Sequence, residues 1–257
     1  MRLKTIGFFD GDVLLNASMW KTYTLEQAVE NFWRHIEEWA DRSFVEEYYI
    51  ALGPKDSWHY RNTIHPDYKQ VASRIDGRKN RLPHFYNLKE YIASLPITSV
   101  AEGLEADDLL GHWQTSYSEG VIITVDKDLD QVPGVHFSPR KNKGEGELYN
   151  VTEEQANTFF LKQMIMGDPM DRIPGIPSKG PKFAEKVVEE ADSISALAVR
   201  VQELYKEKFE EDWESHSLQM ANFFGFSEFL SNTLTLTSIR RNFFDSSRRY
   251  CSTFSVS

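Results

Sequence analysis

The sequence has little of several features that would place it in a specialised class of protein. Its 257 residues contain a single cysteine, Cys251, so no disulfide can form within the chain. No apolar run approaches the roughly 18 residues that a membrane span needs. The first residues, MRLKTIGFFDGD, contain no signal-peptide cleavage region. We therefore expect a protein of the reducing cytoplasm that has no membrane partner.

Basic residues are also outnumbered, because 29 Lys and Arg face 39 Asp and Glu, which gives a net charge of −10. Such a total argues against nucleic acid binding by the surface as a whole. The charge is unevenly distributed, however. The stretch from Arg61 to His84 contains six basic residues and only two acidic ones. Aromatic residues lie in or beside it: Tyr60, Tyr68, Phe85 and Tyr86. A locally basic segment is therefore hidden by the acidic total.

Short apolar runs alternate with amphipathic helical patterns in the first part of the chain. Strand patterns cover residues 3–9, 46–52, 97–101, 121–126 and 135–137, and helical patterns cover 24–39, 87–95 and 105–117. This alternation predicts an α/β fold with a mostly parallel central sheet flanked by helices. From Thr152 the pattern is helical, over 152–166, 179–190 and 192–208, which predicts a helical C-terminal lobe.

The change of pattern predicts two domains and a tail. Residues 1–150 form the predicted α/β domain, with the basic excursion at about 57–84, and residues 151–236 form the helical lobe. Residues 237–257 are rich in serine and have no apolar period, so we expect a loose tail there.

Acidic residues follow the predicted strands, at the ends where parallel sheets place their ligand sites. They are Asp10, Asp12, Asp56, Glu105, Asp107, Asp108, Asp126, Asp128 and Asp130. Taken singly, each cluster also fits a structural role, as helix-dipole charges, turn formers or helix caps. Their recurrence at successive strand ends favours a site for a hard divalent cation such as Mg²⁺, which prefers carboxylate oxygens.

The segment MGDPMDRIPGIPSKGPK, residues 166–182, places acid before a sharp turn and base after it. Asp168 and Asp171 are expected to join the carboxylate cluster. Residues 173–182 resemble a helix-hairpin-helix turn, in which Gly175 and Gly180 permit a tight backbone path. We expect a positive φ at Gly180, so that a β-branched side chain would be strained there.

The residues after this turn predict a phosphate-binding helix start. Backbone amides at a helix N-terminus face anions, and Lys179, Lys182 and Lys186 would add positive charge. An ordinary proline- and glycine-rich loop between two helices is the structural alternative.

Four motifs in this order resemble the flap endonuclease / 5′-3′ exonuclease family, particularly its short bacteriophage members. They are FFDG (8–11), AEGLEADD (101–108), ITVDKDLDQV (123–132) and MGDPMDRIPGIPSKGPK (166–182), and the resemblance covers roughly residues 3–190. It implies a metal-dependent phosphodiester hydrolase of phage DNA replication, acting as a monomer in the host cytoplasm. The implied substrates are duplex DNA with 5′ ends or flaps, and RNA in RNA–DNA hybrids.

The resemblance also implies cofactors and their ligands. It implies two Mg²⁺ ions, for which Mn²⁺ would substitute, and a K⁺ ion at the hairpin turn. Ligands of the first Mg²⁺ would be Asp10, Asp56, Glu105, Asp107 and Asp108. Ligands of the second would be Asp126, Asp128, Asp168 and Asp171.

In this family the segment after the second strand forms an arch over the active site, and Tyr68-Lys69 resembles the Tyr-Lys pair of that arch. With Arg61, these are the implied catalytic residues. The family often has a basic residue three positions after the lysine, where this chain has Ala72, and Arg74 is the nearest substitute. The implied DNA contacts are Gly175, Ile176, Lys179, Gly180, Lys182, Lys186, Arg74, Arg78, Lys79 and Arg81.

Three other functions fit part of the pattern. Asp10-Gly-Asp12 and Gly167-Asp168 resemble motifs of a haloacid-dehalogenase-type phosphatase, which leaves the acids at 105–108 and 126–128 and the hairpin turn without a role. A PIN-type ribonuclease shares the acidic sheet edge and lacks such a turn. A catalytically silent DNA-binding module would be expected to lose some of these carboxylates.

Overall fold

The computed structural model describes residues 5–55, 60–79, 81–117 and 119–224. Asp56 and the predicted tail at 237–257 lie outside these ranges. Contacts divide the chain into two compact units, one formed by Met1–Thr63 and Ala72–Glu153, the other by Ile64–Val71 and Glu154–Ser257. Each unit has a hydrophobic core of its own.

The first unit contains a six-stranded sheet with the strand order β3-β2-β1-β4-β5-β6. Its strands are β1 (Ile6–Asp10), β2 (Glu47–Leu52), β3 (Thr98–Val100), β4 (Gly120–Ile123), β5 (Gly134–Ser138) and β6 (Glu147–Val151). All neighbouring pairs are parallel except β5 and β6, which are antiparallel. The predicted mostly parallel sheet is confirmed.

Helices cover both faces of this sheet. The helices of this unit are α1 (Gly11–Ser18), α2 (Leu25–Ser43), α4 (Ala72–Lys79), α5 (Pro83–Ala93) and α6 (Ala106–Ser116), and the single turn α3 (Arg61–Ile64) precedes α4. Successive side chains of a strand point to opposite faces. Phe9 accordingly packs in the core formed with α1, α2 and α5, whereas Phe8 meets Trp113 of α6 at a ring-centroid distance of 5.5 Å.

The second unit is helical, as predicted. It contains α7 (Glu153–Met166), α8 (Pro181–Glu189), α9 (Ile194–Phe209) and α10 (Trp213–Phe224). Tyr205 is fully buried at its centre, and its hydroxyl donates a hydrogen bond of 2.8 Å to the carbonyl of Met164. The segment Ile64–Val71 belongs to this unit through the buried ring of Tyr68.

Across the described ranges, no helix has both the length and the apolar character that crossing a membrane requires.

Candidate active site

The candidate site lies where the strand order of the sheet reverses. The chain runs outward from β1 through β2 to β3 and then returns to β4, on the other side of β1. The carboxyl ends of β1 and β4 therefore flank a crevice, the usual place for a ligand in an open α/β sheet. Asp10 ends β1, and Thr124 and Asp126 follow β4.

Asp10 is held at this crevice by two hydrogen bonds. Its side chain is 3% exposed. Oδ1 accepts the backbone N–H of Val13 at 3.0 Å, which caps the start of α1, and Oδ2 accepts the hydroxyl of Thr124 at 2.8 Å. The hydroxyl oxygen of Thr124 in turn accepts the backbone N–H of Asp126 at 3.0 Å. Thr124 therefore links the two strand ends, a role that the sequence reasoning missed.

The charge of Asp10 is poorly compensated in this position. Its pKa is raised from 3.8 to about 7, and burial is the largest cause of the rise. The hydrogen bonds from Val13 and Thr124 act in the opposite direction, while the negative charges of Asp12 and Asp126 raise the pKa further. Asp12 and Asp126 are thus each close enough to repel Asp10, and an added cation would relieve that repulsion.

Two glycines allow α1 to begin directly at the sheet edge. A Cβ on Gly11 would lie 2.5 Å from the carbonyl oxygen of Ala51 on β2. A Cβ on Gly53, just after β2, would lie 2.4 Å from Oδ2 of Asp12. Both approaches are closer than side-chain carbons tolerate, so the small residues let Asp12 lie against the end of β2.

The acids after β4 have divided roles. Asp126 is exposed, and its Oδ1 accepts the backbone N–H of Asp128 at 2.9 Å, which starts the 3₁₀ turn Lys127–Gln131. Asp130 instead accepts the hydroxyl of Tyr149 on β6 at 2.8 Å. Asp126 therefore remains accessible at the crevice, whereas Asp130 ties the turn to the edge strand.

A buried arginine engages the acids at the start of α6. Arg61 is 3% exposed. Its Nη1 lies 2.7 Å from Oδ2 of Asp108 and 3.1 Å from Oε2 of Glu105, and its Nη2 lies 2.8 Å from Oδ1 of Asp108. The guanidinium and the Asp108 carboxylate thus form a two-pronged ion pair. Burial, the largest single effect, would lower the pKa of Arg61, but the effects of Asp108, Tyr60 and Glu105 together outweigh it and hold the pKa above its usual range.

The capping of α6 ties its two acids together. The side chain of Asp108 accepts the backbone N–H of Glu105 at 2.9 Å, and the backbone carbonyl of Glu105 accepts the backbone N–H of Asp108 at 3.1 Å. Asp107, between them in the first turn, is half-buried. Glu105 and Asp108, for which the sequence also allowed a role as helix-dipole charges, are therefore partners of Arg61.

In the helical unit, Asp168 and Asp171 lie in a tight loop. The backbones of Asp168 and Ile173 exchange hydrogen bonds of 2.9 and 2.7 Å across it. Oδ1 of Asp168 accepts the backbone N–H of Met170 at 2.7 Å. Asp171 is 8% exposed.

Two glycines close the base of this loop. Gly167 and Gly175 have φ angles of 67° and 60°. A Cβ on Gly175 would lie 2.4 Å from the backbone nitrogen of Gly167. The tight backbone path predicted at Gly175 is therefore present, and Gly167 is its unpredicted counterpart.

Tyr68 and Lys69 are attached to this same loop. The Tyr68 hydroxyl lies 3.4 Å from Oδ2 of Asp171, and its ring stacks on Phe223 of α10 with centroids 5.7 Å apart. The backbone N–H of Lys69 donates to the carbonyl of Asp171 at 3.0 Å, and Nζ of Lys69 lies 3.7 Å from its carboxylate. Within the helical unit, these predicted residues are thus brought together by an aromatic anchor on α10.

The hairpin turn places its lysines on an accessible surface. Lys182 and Lys186 are exposed, and Nζ of Lys179 lies 3.9 Å from the ring centre of Phe183. Ile176 is buried, so its contribution to any DNA contact is restricted to its backbone.

The expected positive φ at Gly180 is wrong. Its φ is −90°, and a Cβ there would meet nothing within 4 Å. Gly180 precedes Pro181 as the N-cap of α8, where an extended backbone is usual for any residue.

The basic excursion contains the short helix α4. Arg74 and Lys79 on α4 are exposed. Arg74 and Arg81 line a cavity of about 360 Å³ together with Asn16, Met19, Gly77, Leu82 and Phe85. The guanidinium of Arg81 lies 4.1 Å from the ring centre of Phe85. The side chain of Arg78 lies outside the described structure.

Within the described residues, no three acidic, histidine or cysteine side chains converge on one point as a complete metal-binding group. The donor chemistry at the crevice nevertheless fits a hard cation, because the available groups are carboxylate oxygens. Repulsion from Asp12 and Asp126 adds to the effect of burial in raising the pKa of Asp10, and a cation would relieve it.

Sequence comparison finds nucleases among the proteins to which the chain is similar. The chain is 30% identical to a 5′-3′ exonuclease of Bacillus subtilis over 185 residues, which cover 66% of this chain and 60% of that protein. It is 30% identical to flap endonuclease Xni of Shewanella sp. MR-4 over 159 residues, covering 56% of this chain and 58% of that protein. The chain is thus similar in sequence to proteins named 5′-3′ exonuclease and flap endonuclease.

These relatives extend beyond the matched region. The chain spans about 60% of the length of the Bacillus exonuclease. Its match to DNA polymerase I of Rhizobium leguminosarum, at 29% identity over 162 residues, covers only 16% of that protein. No protein-family model matches the chain.

Solved structures agree on the fold. The T5 5′-exonuclease with bound zinc ions aligns with a TM-score of 0.54 at 18% identity, covering 88% of this chain and 98% of that one. The bacteriophage T5 flap endonuclease in a complex with DNA and metal ions aligns with a TM-score of 0.53 at 16% identity, covering 92% and 99%. At this identity, the alignments show that the chain and the T5 enzyme share a fold.

Proposed function

We propose that this protein is a divalent-metal-dependent nuclease that hydrolyses phosphodiester bonds near the 5′ ends of duplex or flapped DNA. The observation that carries the proposal is the buried Asp10, which ends β1 at the switch point of the sheet beside two further carboxylates. The relatives named 5′-3′ exonuclease and flap endonuclease support the same reaction. The T5 flap endonuclease complex with DNA and metal ions supports the class of substrate.

In this proposal, Asp10, Asp126 and Asp128 hold divalent ions, which are Mg²⁺ in the cell. When bound, such ions activate a water molecule and stabilise the leaving oxygen of a phosphodiester. Asp56, Glu105, Asp107, Asp108, Asp168 and Asp171 keep the ligand roles that the family motifs assign to them.

Lys69 is proposed to stabilise negative charge on the phosphate. Its backbone is fixed by the hydrogen bond to Asp171, so the lysine is presented from an ordered segment. The ring of Tyr68 packs in the core of the helical unit, which supports an anchoring role for this residue.

The turn at 173–182 is proposed to hold the duplex through its phosphates. Lys182 and Lys186 are exposed at the start of α8, where backbone amides favour anions. Phosphate contacts fix position without reading bases, so recognition would follow strand structure rather than sequence. Arg74, Lys79 and Arg81 would contact the single strand at its 5′ end.

The phosphatase alternative is disfavoured by the surroundings of Asp10. A nucleophilic aspartate needs an ionised, accessible oxygen. Both oxygens of Asp10 are engaged, one by the backbone of Val13 and one by Thr124, and its side chain is buried. Asp10 is therefore poorly suited to attacking a phosphate ester.

The test is digestion of 5′-labelled and internally labelled substrates that differ only in structure. A blunt duplex, a 5′ flap, a closed circular duplex and an RNA–DNA hybrid would be compared at equal concentration with Mg²⁺. We expect cutting that depends on a 5′ end or flap and spares the closed circle. Efficient cutting of the closed circle, or hydrolysis of p-nitrophenyl phosphate with all DNA intact, would contradict the proposal.

A further inference from the structure

We propose that Arg61 is a resident cation of the acidic centre, which holds Glu105 and Asp108 in place when no divalent ion is bound and lowers the affinity of the centre for such an ion. This role makes Arg61 a positioning residue rather than a group that contacts the DNA. The inference rests on the proposed metal-dependent function, because it concerns the same carboxylates.

The contacts of Arg61 support this role directly. Its guanidinium reaches both oxygens of Asp108, at 2.7 and 2.8 Å, and Glu105 at 3.1 Å. The side chains of the three residues are only 4%, 10% and 14% exposed, for Arg61, Asp108 and Glu105. A cation that is this deeply buried and points toward two carboxylates has little surface left for a DNA phosphate.

The position of Arg61 is also fixed from its own segment. The backbone N–H of the preceding Tyr60 donates to the carbonyl of Gly103 at 3.0 Å. The Arg61 guanidinium lies 4.8 Å from the ring centre of Tyr60. The arginine is therefore held against the loop that leads into α6, at the point where its two partners begin.

The charges of Arg61, Glu105 and Asp108 determine how loss of the arginine would change the stability of the protein and its affinity for a divalent ion. Two carboxylates with one guanidinium retain a net negative charge, whereas without the arginine they form a buried pair of like charges. Removing one partner of a buried ion pair leaves an uncompensated charge and is strongly destabilising. The same change strengthens the attraction of the centre for a divalent ion, because a neighbouring positive charge is gone.

The test compares Arg61→Met with the wild-type protein in two measurements that do not use activity. In EDTA we expect the melting temperature of the variant to fall by about 10 °C, as breaking a buried ion pair in a domain of this size implies. Titration with Mn²⁺, followed by electron paramagnetic resonance, should show binding to the folded variant that is about tenfold tighter than to wild type. Ca²⁺ should accordingly raise the melting temperature of the variant more than that of wild type.

Arg200→Met is the matched control. Arg200 also contacts two carboxylates, Glu203 at 3.1 Å and Glu207 at 3.0 Å, but its side chain is 43% exposed on α9. Exposed ion pairs contribute little, so this variant should keep the wild-type melting temperature and Mn²⁺ affinity. If Arg61→Met behaves like Arg200→Met in EDTA, or binds Mn²⁺ no more tightly than wild type, the resident-cation role is wrong.

A double variant covers the case in which Arg61→Met does not fold. Arg61→Met combined with Asp108→Asn removes the charge of both partners and should regain most of the lost stability in EDTA, without the tighter Mn²⁺ binding. A double variant as unstable as the single one would overturn the inference. Failure of wild type itself to bind Mn²⁺ or Ca²⁺ would instead refute the proposed metal site, and the resident-cation role with it.

Discussion

At the scale of single residues, the candidate site is a contrast between compensated and uncompensated carboxylates. Glu105 and Asp108 have a buried guanidinium as partner. Asp10 has hydrogen bonds but lies beside the charges of Asp12 and Asp126. The sequence could predict that all these acids follow strand ends, because that depends on local pattern alone. It could not predict which acids share an internal cation, because Arg61 is distant from α6 in the sequence.

Asp10 gives this contrast a pH signature. Its pKa is raised in the folded protein, so the protonated carboxyl group favours folding. This contribution to the free energy of unfolding is fully present below about pH 4 and is lost as the pH rises through about 7. We expect Asp10→Asn, which keeps an acceptor for Val13 and removes the charge, to unfold less readily than wild type at pH 8 without metal. The difference in the free energy of unfolding should approach about 4 kcal/mol at most and disappear near pH 4.

The measurement is urea unfolding of both proteins in EDTA across this pH range. Asp41→Asn, at an exposed carboxylate on α2, is the control and should follow wild type. A variant that is less stable than wild type at pH 8 would show that the charge of Asp10 stabilises the fold, contrary to this account.

At the scale of elements, long and strongly patterned segments could be predicted, and short ones could not. The buried run that forms β4 and the helix α2, which follows the cap Thr24, both lie close to their predicted ranges. The helix α1 was missed because it has only eight residues and begins with glycine at the strand end. The edge strand β6 was missed because its mostly exposed residues give no buried run.

The contact between Tyr68 and α10 also could not be predicted from local sequence pattern. Its partner Phe223 is far away in the sequence and differs from other apolar residues of α10 in no local feature. The stacked rings hold the segment from which Lys69 projects.

This contact predicts different results for two changes. Phe223→Ala should destabilise the protein by about 3–5 kcal/mol, as expected for loss of a buried ring. Tyr68→Phe keeps the stack and loses the hydroxyl with its long hydrogen bond to Asp171, so it should cost about 1 kcal/mol or less and leave kcat nearly unchanged. Urea unfolding and steady-state cleavage check both. A large loss of kcat in Tyr68→Phe at unchanged stability would mean that the hydroxyl takes part in the chemistry.

The turn before α8 predicts an electrostatic DNA contact. Replacing Lys179 and Lys182 with alanine should weaken binding equally on duplexes of different sequence and reduce the salt slope by about one unit for each lost phosphate contact. Catalysis at saturating DNA should survive. Lys206 and Lys208 on α9, replaced together, provide the control. The measurement is DNA affinity across a salt series. Equal slopes of log affinity against log salt concentration for wild type and the turn variant would show that these lysines make no phosphate contact.

In the molecule as a whole, the net charge of −10 is combined with a local separation of acidic and basic side chains. The candidate ligand carboxylates of the first unit follow its strand ends, while basic side chains lie on α4 and around the turn before α8. Such a chain repels polyanions over most of its surface and attracts them at a few places. This separation of charge fits a protein that recognises the strand structure of DNA through its phosphates and uses metal ions to neutralise the acidic centre.

The most direct test of the metal-dependent 5′ nuclease account is cleavage of a 5′-labelled flap substrate by wild type and Asp126→Asn, each in Mg²⁺ and in EDTA, with DNA affinity measured separately in Ca²⁺. The account predicts short labelled products from wild type in Mg²⁺ alone. It predicts none from Asp126→Asn, even though this variant binds the DNA in Ca²⁺ nearly as well as wild type, because an exposed ligand is lost while the phosphate contacts remain. Cleavage by wild type in EDTA, or full activity of Asp126→Asn in Mg²⁺, would contradict it.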